Sequence, residues 1–474
     1  MTVPSFQFLA LALAAAIAFN LSAAKWWRAA VLMAVNLYVF QSFAGQWTQL
    51  LPFIGFLAIA YAGILLRPTL PWWGSWLLPV VVLALFVWLK RYLFVPPTLL
   101  LTAPYVTVGL SYVFFRVMHL AIDGWETLPR NATGFVSYLN YTLNFTSLVS
   151  GPIQRYEDYR RCEAAPPPVD PFVVGRALER IIVGFFKVYL LSALVSELQH
   201  EAIAALPTTG EATMRIGLGA VVVGAYPVYL YLNFSGYTDF VVGIARLFRI
   251  ELPENFDRPF SSLNFIDFWN RWHITLSTWL KTYVYSPLLL SLMRRFPARG
   301  IEPFLAVLVY FVTFFLVGFW HGQTSEFLCF GLLQGGGVAA NKLYQTCLIL
   351  GLGRARYAAL ARRPLYQTVA RGLTFAWFAF TLLWFWSNWG QLHALVAGLG
   401  WPAAVAAWLL LLAMATIVLA AWEAIRSAVL SAGDRGLLSS RYLRTACASA
   451  LTFVILVAAL ILNAPAPEIV YKSF

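Results

Sequence analysis

Charge is scarce in this chain of 474 residues. Asp, Glu, Lys and Arg together make up 11% of it, against roughly 25% in an ordinary soluble domain. No hydrophilic segment is long enough to fold as a separate soluble domain, which leaves one membrane domain over residues 1–474. Cysteine is rare too. Cys162, Cys329, Cys347 and Cys447 are scattered with no CxxC pair, so metal-site spacing is absent and burial as small apolar side chains is the better reading. Several catalytic signatures are missing: GxSxG, GxxxxGK[ST] and GxGxxG do not occur. HEAIA, from His200, has alanine at 204 where a zinc-protease HExxH needs its second histidine. Acidic residues are outnumbered, giving a net charge of +13. The basic residues sit in short clusters between apolar runs (Lys25 and Arg28, Lys90 and Arg91, Arg160 and Arg161, Arg294 and Arg295, Arg354 to Arg371). That is how Lys and Arg set membrane topology on the cytoplasmic side, so a nucleic-acid partner is excluded.

What the chain has is apolar length. Hydrophobic residues make up 61%, and runs near the roughly 20 residues that span a bilayer recur throughout. Backbone groups in lipid must be satisfied within the segment, so these runs predict helices. The expected fold is an all-α polytopic membrane protein with about 11–13 transmembrane helices plus re-entrant or interfacial helices. Candidate spans lie near 29–45, 50–66, 72–89, 98–120, 133–150, 174–197, 216–233, 236–248, 304–320, 325–346, 369–389, 401–425 and 446–463. The first apolar run, before Lys25 and Arg28, lacks a positive flank ahead of it. It reads as a transmembrane helix with its N-terminus outside rather than a signal peptide. SGPIQRYEDYRRCEAAPPPVDPF reads as a cytoplasmic or interfacial loop.

The interval 251–303 breaks the pattern. It is too polar for a plain span and too aromatic for a solvated loop, which suits a re-entrant element shielded by protein. Its FWNRWHITLSTW, if helical throughout, places Asn270, His273, Ser277 and Lys281 on one face. A polar stripe in an aromatic sleeve suggests a lined cavity; the plain alternative is an amphipathic interfacial helix with tryptophan anchors. His321 ends a long apolar run and precedes Gly322. Intramembrane ionisable groups are costly and usually functional, though a histidine snorkelling at a helix end would look the same. His119, beside Arg116 and Asp123, is explained by local pairing, and His393 by a loop setting. The glycines Gly335 to Gly337 read as close helix packing.

These residues resemble the membrane-bound O-acyltransferase (MBOAT) family, in particular its bacterial branch of alginate O-acetylation and teichoic-acid D-alanylation proteins. The resemblance is carried by GLSYVFFRVMHLAID, SLVSGPIQRYEDY, YLNFSGYTDFVVGIARLF, ENFDRPFSSLNFIDFWNRWHITLSTWLKTYVY, FLVGFWHG and WFWSNWGQLHALVAGL, over about residues 109–399. It implies a multi-helix enzyme with a funnel or tunnel. His321 takes the family's catalytic position and His273 its second active-site position. Asn270, Arg271, Trp272, Ser277 and Trp320 are expected at the substrate. NFSGYTD is expected to start a helix, with Ser235, Tyr237 and Asp239 as hydrogen-bonding support. Relatives often carry a further histidine where this chain has Gln334.

The resemblance implies transfer of an acyl group, acetyl in the preferred reading, across the bacterial inner membrane for O-acetylation of an exported polysaccharide such as cellulose or alginate. The donor would be acetyl-CoA or an acyl-carrier thioester, with no bound cofactor and no metal. Expected partners are extracytoplasmic acyl-transfer proteins, a polysaccharide synthesis complex and membrane lipid. The rivals are D-alanyl transfer from a carrier-protein thioester, acylation of a lipid or protein, and a transporter or channel.

Overall fold

A computed structural model describes residues 3–66, 71, 74–127, 134–298, 300–433 and 440–462. The first residues of the expected 72–89 and 133–150 spans and the last of 446–463 lie outside these. Among the described residues there is no β-strand; helices dominate, and Phe256 and Trp272 form one isolated bridge. Among the described residues six helices are long and apolar enough to cross a membrane: Trp47–Leu66, Pro171–Thr208, Ala212–Leu247, Glu302–His321, Pro364–Trp386 and Trp401–Val429. Phe6–Asn20, Trp76–Leu89 and Tyr442–Ala458 are shorter apolar helices. The protein is an all-α polytopic membrane protein. By contact it divides into two units, one from Met1–Val188 and Phe234–Glu254, the other from Tyr189–Asn233 and Asn255–Ile461.

In the first unit the expected 133–150 span is a short helix, Phe135–Thr142, followed by an irregular turn. This turn is held by Arg116 of the Leu110–Thr127 helix. The guanidinium is 1% exposed and donates to the carbonyls of Tyr141 (3.2 Å), Thr142 (3.0 Å) and Ser147, and to Ser147 Oγ (2.7 Å). A buried side chain with a planar fork of donors can satisfy several carbonyls that no helix reaches. His119, one turn along, pairs with Asp123 at 2.9 Å and accepts from the Tyr156 amide at 3.2 Å, as local pairing predicts. The polar loop after Ser150 contains a helix, Tyr156–Ala164, with Glu157 and Asp158 in its first turn where acidic groups favour the helix dipole.

Two expected spans, 216–233 and 236–248, are one helix, Ala212–Leu247. The NFSGYTD segment therefore lies inside a helix and does not start one. Gly236 serves packing: a Cβ there would stand 2.7 Å from Lys187 Cβ and 2.8 Å from the Gly184 carbonyl. A Cβ on Gly184 would meet the Gly236 carbonyl at 2.6 Å in turn. Small residues let the backbones of the Pro171–Phe185 and Ala212–Leu247 helices approach closely. The expected burial of the cysteines holds for Cys162 alone; Cys329 is half-buried and Cys347 and Cys447 are exposed.

In the second unit Glu302–His321 is a 20-residue helix begun by Pro303, about 30 Å long at 1.5 Å per residue. It packs along Ser325–Leu352 through glycine: a Cβ on Gly318 would lie 2.3 Å from Gly331 Cα, and one on Gly335 2.5 Å from the Phe311 carbonyl. A separate apolar cluster joins Ala220, Val223, Phe375, Ala379, Ala407 and Leu411 from three long helices.

Candidate active site

Both candidate histidines belong to the second unit. His321 is the last residue of its helix, 4% exposed. Its ring lies 4.5 Å from that of Trp320 and 5.0 Å, edge-on, from Phe385, with Phe330 at 5.9 Å. The helix stops because Gly322 turns extended, and that turn needs glycine for want of space: a Cβ at 322 would sit 2.0 Å from the Phe327 ring. Phe327 in turn packs edge-on to Phe385 at 5.8 Å. Gly322→Ala is therefore expected to displace Phe327 and, through Phe385, loosen His321. A drop in activity of about tenfold (on the order of 1.4 kcal/mol) with a thermal midpoint changed by only a few degrees is the expected result. Wild-type turnover in this variant would refute the packing relay.

FWNRWHITLSTW is not one helix. Phe265–Arg271 and Ile274–Leu280 are separate short helices, and His273 stands between them in the left-handed region at φ 45°, ψ 52°. The single polar stripe is thereby corrected: Asn270 and Lys281 are exposed, Ser277 is half-buried and donates to the Trp272 carbonyl at 3.3 Å, and only His273 is fully inside. The break has a long-range cause. Asn255 accepts the Ile274 amide on its carbonyl at 2.9 Å, and the Thr275 amide (3.3 Å) and hydroxyl (2.6 Å) on Oδ1. These contacts hold the two residues after His273 and offset the roughly 1–3 kcal/mol that a left-handed non-glycine residue costs. Asn255 stands in the motif that begins at Glu254, and its partners across the break are not visible from spacing.

Trp272 is enclosed by aromatic rings: Phe268 stacked at 5.5 Å, Phe378 at 5.0 Å and Phe256 edge-on at 5.1 Å. Arg271 is held by carboxylates, Asp267 at 3.0 Å and Asp257 at 3.7 Å. Gln334 is fully buried and donates to Thr381 Oγ1 at 2.8 Å, which itself donates to the Phe378 carbonyl. Burial pushes the His273 imidazole down to about 3, so it is neutral at physiological pH. Between about 3 and its ordinary value near 6.5 the unfolded chain binds a proton that the folded chain refuses. Stability is then whole above pH 6.5 and falls as pH drops through that window. His273→Asn is expected to lose less thermal stability than wild type between pH 7 and pH 5; parallel losses would contradict the burial.

Ser235, Tyr237 and Asp239 lie in the first unit, apart from the histidines' unit. Tyr237 is buried and accepts the Ser150 amide at 3.3 Å; Ser235 is buried. Asp239 accepts from Arg180 at 3.0 Å and Lys187 at 2.6 Å, and Arg180 also grips Glu254. His200 and His393 are exposed.

The helical scaffold thus buries two histidines that are each preceded by a tryptophan. A profile of MBOAT, the membrane-bound O-acyltransferase family, matches residues 92–350, and the chain belongs to that family, as an integral membrane protein. It is similar to "Teichoic acid D-alanyltransferase" of Bacillus subtilis, 29% identical over 232 residues, 48% of this chain and 56% of the relative. It is also similar to "Probable alginate O-acetylase AlgI" of Pseudomonas fluorescens, 30% identical over 322 residues, 67% of this chain and 58% of the relative. The chain thus spans little more than half the length of these relatives.

Proposed function

We propose that this protein is a membrane O-acyltransferase that takes an acetyl group from a cytoplasmic thioester, acetyl-CoA or an acyl-carrier thioester, and passes it across the membrane for O-acetylation of an exported polysaccharide. The observation that carries this reading is the pair of buried histidines, His321 at a helix end and His273 in a strained turn. Residues 1–474 act as one membrane domain with the acyltransferase core at about 109–399. His321 takes the proton of the acceptor hydroxyl. The hydroxyl oxygen attacks the thioester carbonyl, the C–O bond forms as C–S breaks, and the proton passes to the departing thiolate. His273, neutral, orients or polarises the carbonyl as an N–H donor. Trp272, Trp320, Ser277, Asn270 and Arg271 shape the substrate path, and Ser235, Tyr237 and Asp239 are hydrogen-bonding support within the first unit. Extracytoplasmic partner proteins and a polysaccharide synthesis complex receive the acyl group.

Similarity to the D-alanyltransferases favours a second reading, D-alanyl transfer from a carrier-protein thioester to a cell-envelope polymer. Mass spectrometry of polymer from cells with and without the protein separates the two. An acetyl ester that disappears with the protein supports the first; an ester bearing a free amine replaces it with the second.

A further inference from the structure

The first unit holds a cavity of about 820 Å³ whose lining carries four cations, Lys25, Arg28, Arg160 and Arg249, and one carboxylate, Glu163. Glu163 is taken up by Arg160, which leaves three positive groups around the space. Arg28 and Arg249 repel each other: the Arg28 guanidinium is pushed down by burial and by the Arg249 charge. Lys25 and Arg28 also stand in the first turn of the Lys25–Gln41 helix, which has no acidic residue there. This is the end at which the helix dipole disfavours cations and attracts anions. Topology accounts for basic residues on this side of the membrane; it does not require three of them to converge on one cavity.

The same lining carries apolar side chains, Phe19, Leu32 and Phe248 among them, with Arg28 lying over the Phe19 ring at 5.6 Å. At the rim Trp26 is 72% exposed and Phe135 56%, a setting of headgroup-level aromatics. A soluble phosphate has no use for the apolar side chains, whereas an amphipathic anion satisfies both kinds of lining residue. Lys25, Trp26 and Arg28 lie outside the family match of 92–350, and the cavity is in a different unit from His273 and His321. We propose that this cavity binds one anionic phospholipid, its phosphate among Lys25, Arg28 and Arg249 and an acyl chain along Phe19, Leu32 and Phe248. Basic pockets between helices on the cytoplasmic side recognise such headgroups.

The test is native mass spectrometry of the full-length protein in detergent, titrated with dioleoyl phosphatidylglycerol or dioleoyl phosphatidylcholine. Phosphatidylglycerol is expected to bind more tightly, and Lys25→Gln with Arg28→Gln to weaken it roughly thirty-fold while leaving phosphatidylcholine unchanged, from the contribution of one basic residue near an anionic surface. Lys25→Gln alone, at an exposed position, is expected to weaken it about fivefold should the double variant fail to stay monodisperse. Equal binding of the two lipids to wild type overturns the proposal, as does unchanged phosphatidylglycerol binding in either variant. Displacement of phosphatidylglycerol by inorganic phosphate or coenzyme A at comparable concentration overturns it in favour of a soluble phosphate ligand.

Discussion

Replacing His321 with alanine is expected to lower acyl transfer by about 10²–10⁴-fold, the usual contribution of a positioned general base, with the protein still folded. The structural reason for the second half is local. His321 is the terminal residue of its helix, so truncation leaves the Gly318–Gly331 contact between helices intact. What is lost is the imidazole between Trp320 and Phe385. Removal of that ring opens a small void, and a stability loss of about 1–3 kcal/mol leaves folded protein to assay. His321→Gln keeps most of the volume but not the base, and is expected to be equally inactive with a higher thermal midpoint than His321→Ala. Activity in the glutamine variant above a tenth of wild type would remove His321 from the role of base.

The largest stability effect is expected at Arg116. Arg116→Met keeps much of the volume but strips the donors from the Tyr141, Thr142 and Ser147 carbonyls and from Ser147 Oγ, all buried. Each buried group left unsatisfied costs about 1–3 kcal/mol, so a loss on the order of 4 kcal/mol is expected after partial relaxation. The turn between Thr142 and Ser150 would lose the contacts that fix it. Arg116→Lys, a point charge without the planar fork, is expected to fall between. A thermal midpoint in Arg116→Met equal to that of wild type would show that the turn holds itself.

Much of this was legible from residues in order. The Glu302–His321 helix is an unbroken apolar run with Pro303 at its start and Gly322 at its end, and both its limits and its terminal histidine follow from that. Three features were not legible, each because a distant segment decides it. Gly236 continues a helix because Gly184 packs on it; alone, a glycine inside SGYT reads as a break. His273 leaves helical geometry because Asn255 claims the amides after it; spacing alone predicted a continuous face. Asp239 reads as hydrogen-bonding support, but its partners Arg180 and Lys187 are fixed by two long helices lying together. The family motifs located the histidines; the backbone that presents them came from contacts across the chain.

The most direct measurement offers the purified protein two thioesters in competition, one labelled in acetyl and one in D-alanyl, together with a polysaccharide acceptor and the extracytoplasmic partners. Acetyl label is expected in alkali-labile ester linkage, formed by wild type and by Gly322→Ala at reduced rate but not by His321→Ala. Ester carrying the alanyl label, or acetyl label transferred equally well by His321→Ala, would contradict it.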